Sequence, residues 1–170
     1  MLANRPLVDY PVEALREVCD RVGVVCKPET PLPEVLGAER WDEPHAPRHP
    51  ITGIVHALEQ ASEPVLVCAG DMPLVTAEAC RTLIEAAVAA REAAAVVAGD
   101  NDVLQPLFGV YRPSALDGLV TAPAGSRLKE IVAALDPVTV AVPATVLLNV
   151  NTAADLRRAE LVLGARHRAY

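Results

Sequence analysis

Apolar residues along the chain fall into helical and strand-like spacings that take turns from one end to the other. Val12, Leu15, Cys19 and Val22 recur at the interval of one helix face. Asp9 is placed to cap that helix, and Pro11 sits in its first turn, where a missing N–H costs nothing. Gly23 is expected to end it, and Val24-Val25-Cys26 reads as a short buried strand. A second helix is predicted through Ile54, Val55, Leu58 and Ala61, capped by Thr52. The fully apolar run Val65-Leu66-Val67-Cys68-Ala69 reads as a strand that stops at Gly70-Asp71. Thr76 then caps an alanine-rich helix predicted to reach about Arg91, with Glu78 favourable in its first turn. Strands are predicted from Ala93 to Ala98 and from Leu107 to Tyr111, with a short helix after Pro113. Ser126 is the expected cap of a helix through Leu128, Ile131, Val132 and Leu135. Val138–Val142 and Val146–Val150 read as the last strands. Thr152-x-x-Asp155 has the form of a capping box opening a final helix, with Leu156 and Leu161 facing inward.

Helices alternating with continuous apolar strands predict an α/β domain: a mostly parallel sheet with helices on both faces. No repeat or domain-sized linker divides residues 1–170, so a single domain is expected. Pro28, Pro31, Pro33, Pro44, Pro47 and Pro50 forbid a long helix or central strand between residues 28 and 50. A loop of that length suits a mobile cover over a site. Doubly wound folds open with a strand that feeds the first helix, and here only Pro6-Leu7-Val8 precedes it. The first strand is therefore expected to be missing, and the domain N-terminally incomplete.

Composition removes several function classes. With 52% hydrophobic residues the chain of 170 is not a disordered segment. No apolar run approaches the ~20 residues of a membrane span, and no basic segment followed by an apolar one opens the chain. The net charge of −7 repels a phosphate backbone, and only Tyr10, Trp41, Phe108, Tyr111 and Tyr170 are aromatic. Nucleic-acid and membrane partners are thus not expected. Cys19, Cys26, Cys68 and Cys80 contain no C-x-x-C pair and read as structural thiols in a reducing cytoplasm.

Open α/β sheets bind ligands beyond the carboxyl ends of their strands, and that rule selects the candidate chemistry. Asp71 stands just past the strand ending at Ala69. Two roles are open to it: a hard oxygen ligand for Mg²⁺ shared with substrate phosphates, or the cap of a local turn. Asn149 and Asn151 flank Val150, and strand alternation would send both amides to one face. There they either meet a sugar, phosphate or metal-bound water, or form a turn ahead of Thr152. Gly53 at its helix start allows close approach of an anion to free N–H groups, or is merely permissive. His45 and His49 are separated by Pro47 and followed by Pro50, so they are not a helical zinc pair, and His56 adds no metal spacing. G-x-S-x-G is absent. No two glycines lie closer than seven positions, at Gly118 and Gly125, so no glycine-rich phosphate cradle is present.

Five segments, in order, carry a resemblance to the molybdenum cofactor guanylyltransferase family and its wider MobA-like NTP-transferase group. They are Arg5-Pro6-Leu7-Val8, Trp41-Asp42-Glu43-Pro44 with His49-Pro50-Ile51-Thr52-Gly53-Ile54, Cys68-Ala69-Gly70-Asp71-Met72-Pro73-Leu74, Gln105-Pro106-Leu107-Phe108-Gly109-Val110-Tyr111, and Leu148-Asn149-Val150-Asn151-Thr152 with Asp155-Leu156. The resemblance implies a Rossmann-like nucleotidyltransferase fold and Mg²⁺-dependent transfer of GMP from GTP onto the terminal phosphate of molybdopterin. Asp71 would hold Mg²⁺ as the catalytic residue, Asn149 and Asn151 would line the same site, and Gly53, Gln105 and Pro106 would border the nucleotide and pterin pockets. The family's opening strand and glycine-rich loop are absent from these residues, and His49 stands where glycine is usual. Two other readings therefore stay open: transfer from CTP or to another phosphorylated acceptor, and a non-catalytic binding relative that has lost triphosphate binding.

Overall fold

In the strand β4 (Ala95–Asp100), Ala95 and Val97 face one side of a sheet while Val96 and Ala98 face the other, and all four are buried. The first pair packs with Ile54, Leu58, Leu119, Ile131 and Val132, the second with Val12, Leu15, Ala79 and Leu83. A strand walled by apolar side chains on both faces needs an uninterrupted apolar run, which Ala93–Ala98 supplies. The structure is a computed structural model that describes residues 1–100, 103–123 and 125–167.

The described elements are α1 (Asp9–Arg16), β1 (Gly23–Cys26), β2 (Glu39–Asp42), α2 (Pro50–Ala61), β3 (Val65–Cys68), α3 (Ala77–Ala89), β4, β5 (Val103–Tyr111), a single 3-10 turn (Pro113–Ala115), α4 (Leu116–Val120), α5 (Leu128–Ala133), β6 (Val138–Ala141) and α6 (Ala153–His167). Four strands form one sheet in the order β3-β5-β4-β6. β5 is antiparallel to β3 and to β4, whereas β4 and β6 are parallel, so β3, β4 and β6 share one direction. β1 and β2 form a separate parallel pair. The α1 and α3 side chains build the core on one face of the larger sheet, and α2, α4 and α5 that on the other. The expected α/β fold with helices on both faces is present.

Several local expectations are corrected. α1 stops at Arg16, because the N–H groups of Val18 and Cys19 both turn back to the Leu15 carbonyl. Asp9 is its first residue, with Val8 in the cap position. Gly23 belongs to β1, where the Trp41 indole lies so close that an added Cβ would come within 2.5 Å of its ring carbons. His49, not Thr52, caps α2: its Nδ1 accepts from the Ile51 N–H at 3.2 Å, while the Thr52 hydroxyl donates to the Pro47 carbonyl. At α5 the Arg127 N–H is held by the Glu130 carboxylate at 3.0 Å, and Ser126 makes no cap.

The proline-rich stretch contains β2, whose sequence Glu-Arg-Trp-Asp carries no apolar alternation but pairs through its main chain with β1. Arg40 donates to the carbonyls of Lys27, Pro28 and Thr30, which fastens the loop leaving β1. Residues 146–150 are not a strand. Val146 and Leu147 close turns onto Pro143 and Ala144, and the N–H of Val150 leaves for the Asp71 carbonyl. Leu156 packs beside Leu2, Leu74 and Ala159 in a small third cluster, but Leu161 is 73% exposed.

Candidate functional site

β3 delivers its last residues to the edge of the sheet, where the Ala69 N–H bonds Leu107 and the Met72 N–H turns back to Ala69. This turn presents Asp71. Its carbonyl accepts from the Val150 N–H at 2.8 Å, so the segment that carries Asn149 and Asn151 is pinned directly beside it. Burial pushes the Asp71 carboxyl above the usual aspartate value, opposed only by a hydrogen bond from its own backbone. No basic side chain among the described residues pairs with it.

Gln105 reaches the same place through an irregularity in β5. The pairing with β4 runs from Val97 opposite Gly109 to Ala98 opposite Gln105, so Pro106, Leu107 and Phe108 bulge out. The bulge is held from inside by the buried Tyr111 hydroxyl, which donates to the Pro106 carbonyl at 2.6 Å. Gln105 then places Nε2 at 3.5 Å from Oδ1 of Asn149. Asp71, Gln105, Pro106 and Asn149 are thus gathered at one strand end. Asn151 differs: it is exposed, its N–H is directed to the Asp155 carboxylate, and the strand alternation expected to align it with Asn149 does not exist. Asp155 also accepts from the N–H and hydroxyl of Thr152, completing the capping box and keeping its own carboxyl below the usual range.

Gly53 lies on the far wall of a cleft of about 600 Å³ whose near wall includes Ala69 and Gly70. Facing it is an ion pair that the sequence pattern did not single out. Lys27 and Glu43 each follow a strand end, of β1 and β2, and stand 3.2 Å apart with side chains 12% and 13% exposed. Lys27 also donates to the carbonyls of Pro44 and Pro47. Oε2 of Glu43 is buried without a hydrogen-bond partner, 3.4 Å from where a Cβ on Gly53 would sit. A carboxylate oxygen left free at the carboxyl edge of a sheet can accept a hydroxyl or amide N–H of a ligand. The strand-end rule that selected Asp71 would have selected Glu43 had β2 been predicted.

His45 pairs with Glu29, His49 caps α2, and no group of three His, Cys, Asp or Glu among the described residues could hold a metal. Burial pushes the thiols of Cys19, Cys26 and Cys68 up, and that of Cys80 to about 12, so the four free cysteines are protonated and packed. Asp71, a half-buried carboxylate that forms no salt bridge among the described residues, fits a Mg²⁺ bound through one carboxylate, waters and substrate phosphates. No helix among the described residues is long and apolar enough to cross a membrane.

The fold, a sheet with helices on both faces, is the Rossmann-like fold of nucleotidyltransferases. The molybdopterin-guanine dinucleotide biosynthesis protein A of Archaeoglobus fulgidus superposes with a TM-score of 0.74 at 24% identity, over 97% of this chain and 89% of that one. The 2-C-methyl-D-erythritol 4-phosphate cytidylyltransferase of Thermus thermophilus does so at 0.72 and 20% identity, over 96% and 91%. Residues 1–138 match the MobA-like NTP transferase domain, and the chain belongs to that family. A probable molybdenum cofactor guanylyltransferase of Mycobacterium avium is 33% identical over 159 residues, 89% of this chain and 79% of that protein. The bifunctional protein GlmU of Rhodospirillum rubrum is 35% identical over 140 residues, but the chain spans only 27% of its length.

Proposed function

We propose that this cytoplasmic nucleotidyltransferase moves GMP from GTP onto the terminal phosphate of molybdopterin with Mg²⁺ at Asp71, releasing pyrophosphate. The observation that carries the reading is Asp71 itself: a half-buried carboxylate at a strand end, without a salt bridge among the described residues, braced through its carbonyl by Val150. The guanylyltransferase relatives supply the nucleotide and acceptor. In the transfer, a phosphate oxygen of the acceptor bonds to the α-phosphorus of GTP as the bond to the β-phosphate oxygen breaks. Bound Mg²⁺ would neutralise the charge gathering on the phosphates. The protein's share is positioning: Asp71 anchors the cation, Gln105, Pro106 and Asn149 border the acceptor, and Gly53 keeps the opposite wall open for the nucleotide. Asn151 contributes from the rim. Glu43 Oε2 offers the nucleotide a hydrogen-bond acceptor across the same cleft.

One observation favours a second reading. No glycine-rich phosphate cradle lies in this sequence, and a relative that binds the pterin without turning over a triphosphate needs none. The cytidylyltransferase neighbours of the fold make CTP the alternative nucleotide. Pyrophosphate release from Mg·GTP and from Mg·CTP, each with molybdopterin, separates the three. Release with GTP alone supports the proposal, release with CTP alone replaces the nucleotide, and binding of molybdopterin without release supports the non-catalytic relative.

A further inference from the structure

Val97 of β4 stands opposite Gly109 and Ala98 opposite Gln105, so Pro106, Leu107 and Phe108 of β5 face no β4 residue. On its other side β5 keeps its register: Phe108 pairs with Cys68, and the Leu107 carbonyl accepts the Ala69 N–H at 2.8 Å. The excess of three residues is therefore confined to the β4 side. Two residue types suit it. Pro106 has no N–H to leave unpaired. Gly109 sits where β4 closes in again: a Cβ there would come within 2.7 Å of the Val96 carbonyl oxygen and 2.8 Å of Cγ1 of Val97. Neither supplies a donor for the carbonyl of Pro106, a buried residue that has left the β4 ladder. Tyr111 supplies it from five residues along the same strand, its hydroxyl donating at 2.6 Å. The ring is fully buried, in the apolar cluster of Ile54, Leu58 and Leu119. Burial pushes the phenol above its usual value, so the hydroxyl stays protonated and a donor. Phenylalanine would fill the same space; the hydroxyl is spent on one carbonyl, that of the residue after Gln105.

We propose that Tyr111 is a positioning residue for the acceptor, its hydroxyl fixing the bulge so that the Gln105 amide is delivered to Asn149. The proposal rests on the reading above in which Gln105, Pro106 and Asn149 border the acceptor. Gln105 is bracketed: it pairs with Ala98 across the sheet, and the next carbonyl along its chain is the one Tyr111 holds. A residue ahead of proline is confined to extended backbone, so the Pro106 end decides where Gln105 stands. Its Nε2 lies 3.5 Å from Oδ1 of Asn149, at the outer limit of a hydrogen bond, and a displacement of a few tenths of an ångström parts them. Asn149 is held in turn by its neighbour Val150, bonded to the Asp71 carbonyl. Tyr111 is closed off from solvent, so it acts through Gln105 and not by contact with substrate.

Tyr111→Phe removes the hydroxyl and keeps the ring. Leu119→Ala, in the same cluster and 2% exposed, is the control that weakens the core without removing a polar contact. Pyrophosphate release from Mg·GTP is titrated against molybdopterin and against GTP, beside thermal melts. Both variants are expected to melt below the unaltered protein. Tyr111→Phe alone is expected to raise the acceptor KM by about five- to tenfold, with kcat and the GTP KM within about twofold. In a Gln105→Ala background the same change should leave the acceptor KM where Gln105→Ala puts it. A second readout needs no substrate: NMR follows the exchange of the Gln105 side-chain amide protons with water in the free protein. Tyr111→Phe is expected to speed that exchange by about threefold or more, and Leu119→Ala to leave it unchanged. Acceptor and GTP KM rising together, or an equal acceptor shift in Leu119→Ala, overturns the proposal. So do effects of Tyr111→Phe and Gln105→Ala that multiply, and amide exchange that Tyr111→Phe leaves unaltered. A protein that releases no pyrophosphate sinks the substrate reading, and the amide exchange then decides the role of Tyr111 by itself.

Discussion

The backbone N–H of Val150 donates to the carbonyl of Asp71 at 2.8 Å, and this bond ties the Asn149 segment to the tip of β3. It explains how residues distant in sequence meet without a shared strand: a main-chain bond positions the segment, and Gln105 meets Asn149 from the neighbouring strand.

Asp71→Asn removes the charge proposed to anchor the cation. Pyrophosphate release is expected to fall by about two orders of magnitude or more, with the fold retained. Circular dichroism alongside the release assay checks both halves.

The same substitution has a pH signature. Burial raises the Asp71 carboxyl in the folded state, so the native form binds its proton more tightly than the unfolded chain does. Stability from this group is therefore fully present below the unfolded pKa and declines as pH rises through the folded value. Asp71→Asn is expected to raise Tm at neutral pH and to leave it nearly unchanged below the carboxylate range. Thermal melts of both proteins across that interval test the sign; an Asn variant that melts lower at neutral pH would contradict it.

Gly53→Ala separates fold from ligand. The added methyl would meet Glu43 Oε2 at 3.4 Å and Val25 at 3.7 Å, which are ordinary contacts, and alanine favours the helix by about 0.5–1 kcal/mol. Tm is expected to hold or rise slightly while nucleotide affinity falls, as measured by thermal melts and by titration of the protein with GTP.

Lys27→Met strands Glu43 with a buried carboxylate and no counter-charge. A loss of about 3 kcal/mol is expected in urea unfolding, and Lys27→Met with Glu43→Gln should recover most of it. Equal losses in the single and double variants would show that the pair does not hold the β1–β2 edge together.

Thr76 accepts the Ala79 N–H at the start of α3. Thr76→Ala is expected to cost about 1 kcal/mol without changing turnover, since the cap lies on the far side of Met72–Val75 from Asp71 in the chain. Denaturant midpoints and release rates measure the two effects separately.

The features legible in the chain before folding are those whose cause is local. Continuous apolar runs made β3 and β4 legible because strands walled on both faces need them, and Thr76 and Thr152-x-x-Asp155 announced helix starts because a cap is satisfied within four residues. Asp71 could be selected as a candidate from its place after an apolar strand. Whatever depends on main-chain pairing between distant segments had to wait for the folded molecule. β2 is a strand because β1 lends it hydrogen bonds, not because Glu-Arg-Trp-Asp has a pattern. β5 is reversed and bulged by its neighbours, and Val146–Val150 lost its strand because Val150 had a carbonyl at Asp71 to bond. Side chains write their burial into the sequence, whereas backbone N–H and C=O groups are alike at nearly every position, so which of them meet is settled only when the chain is folded.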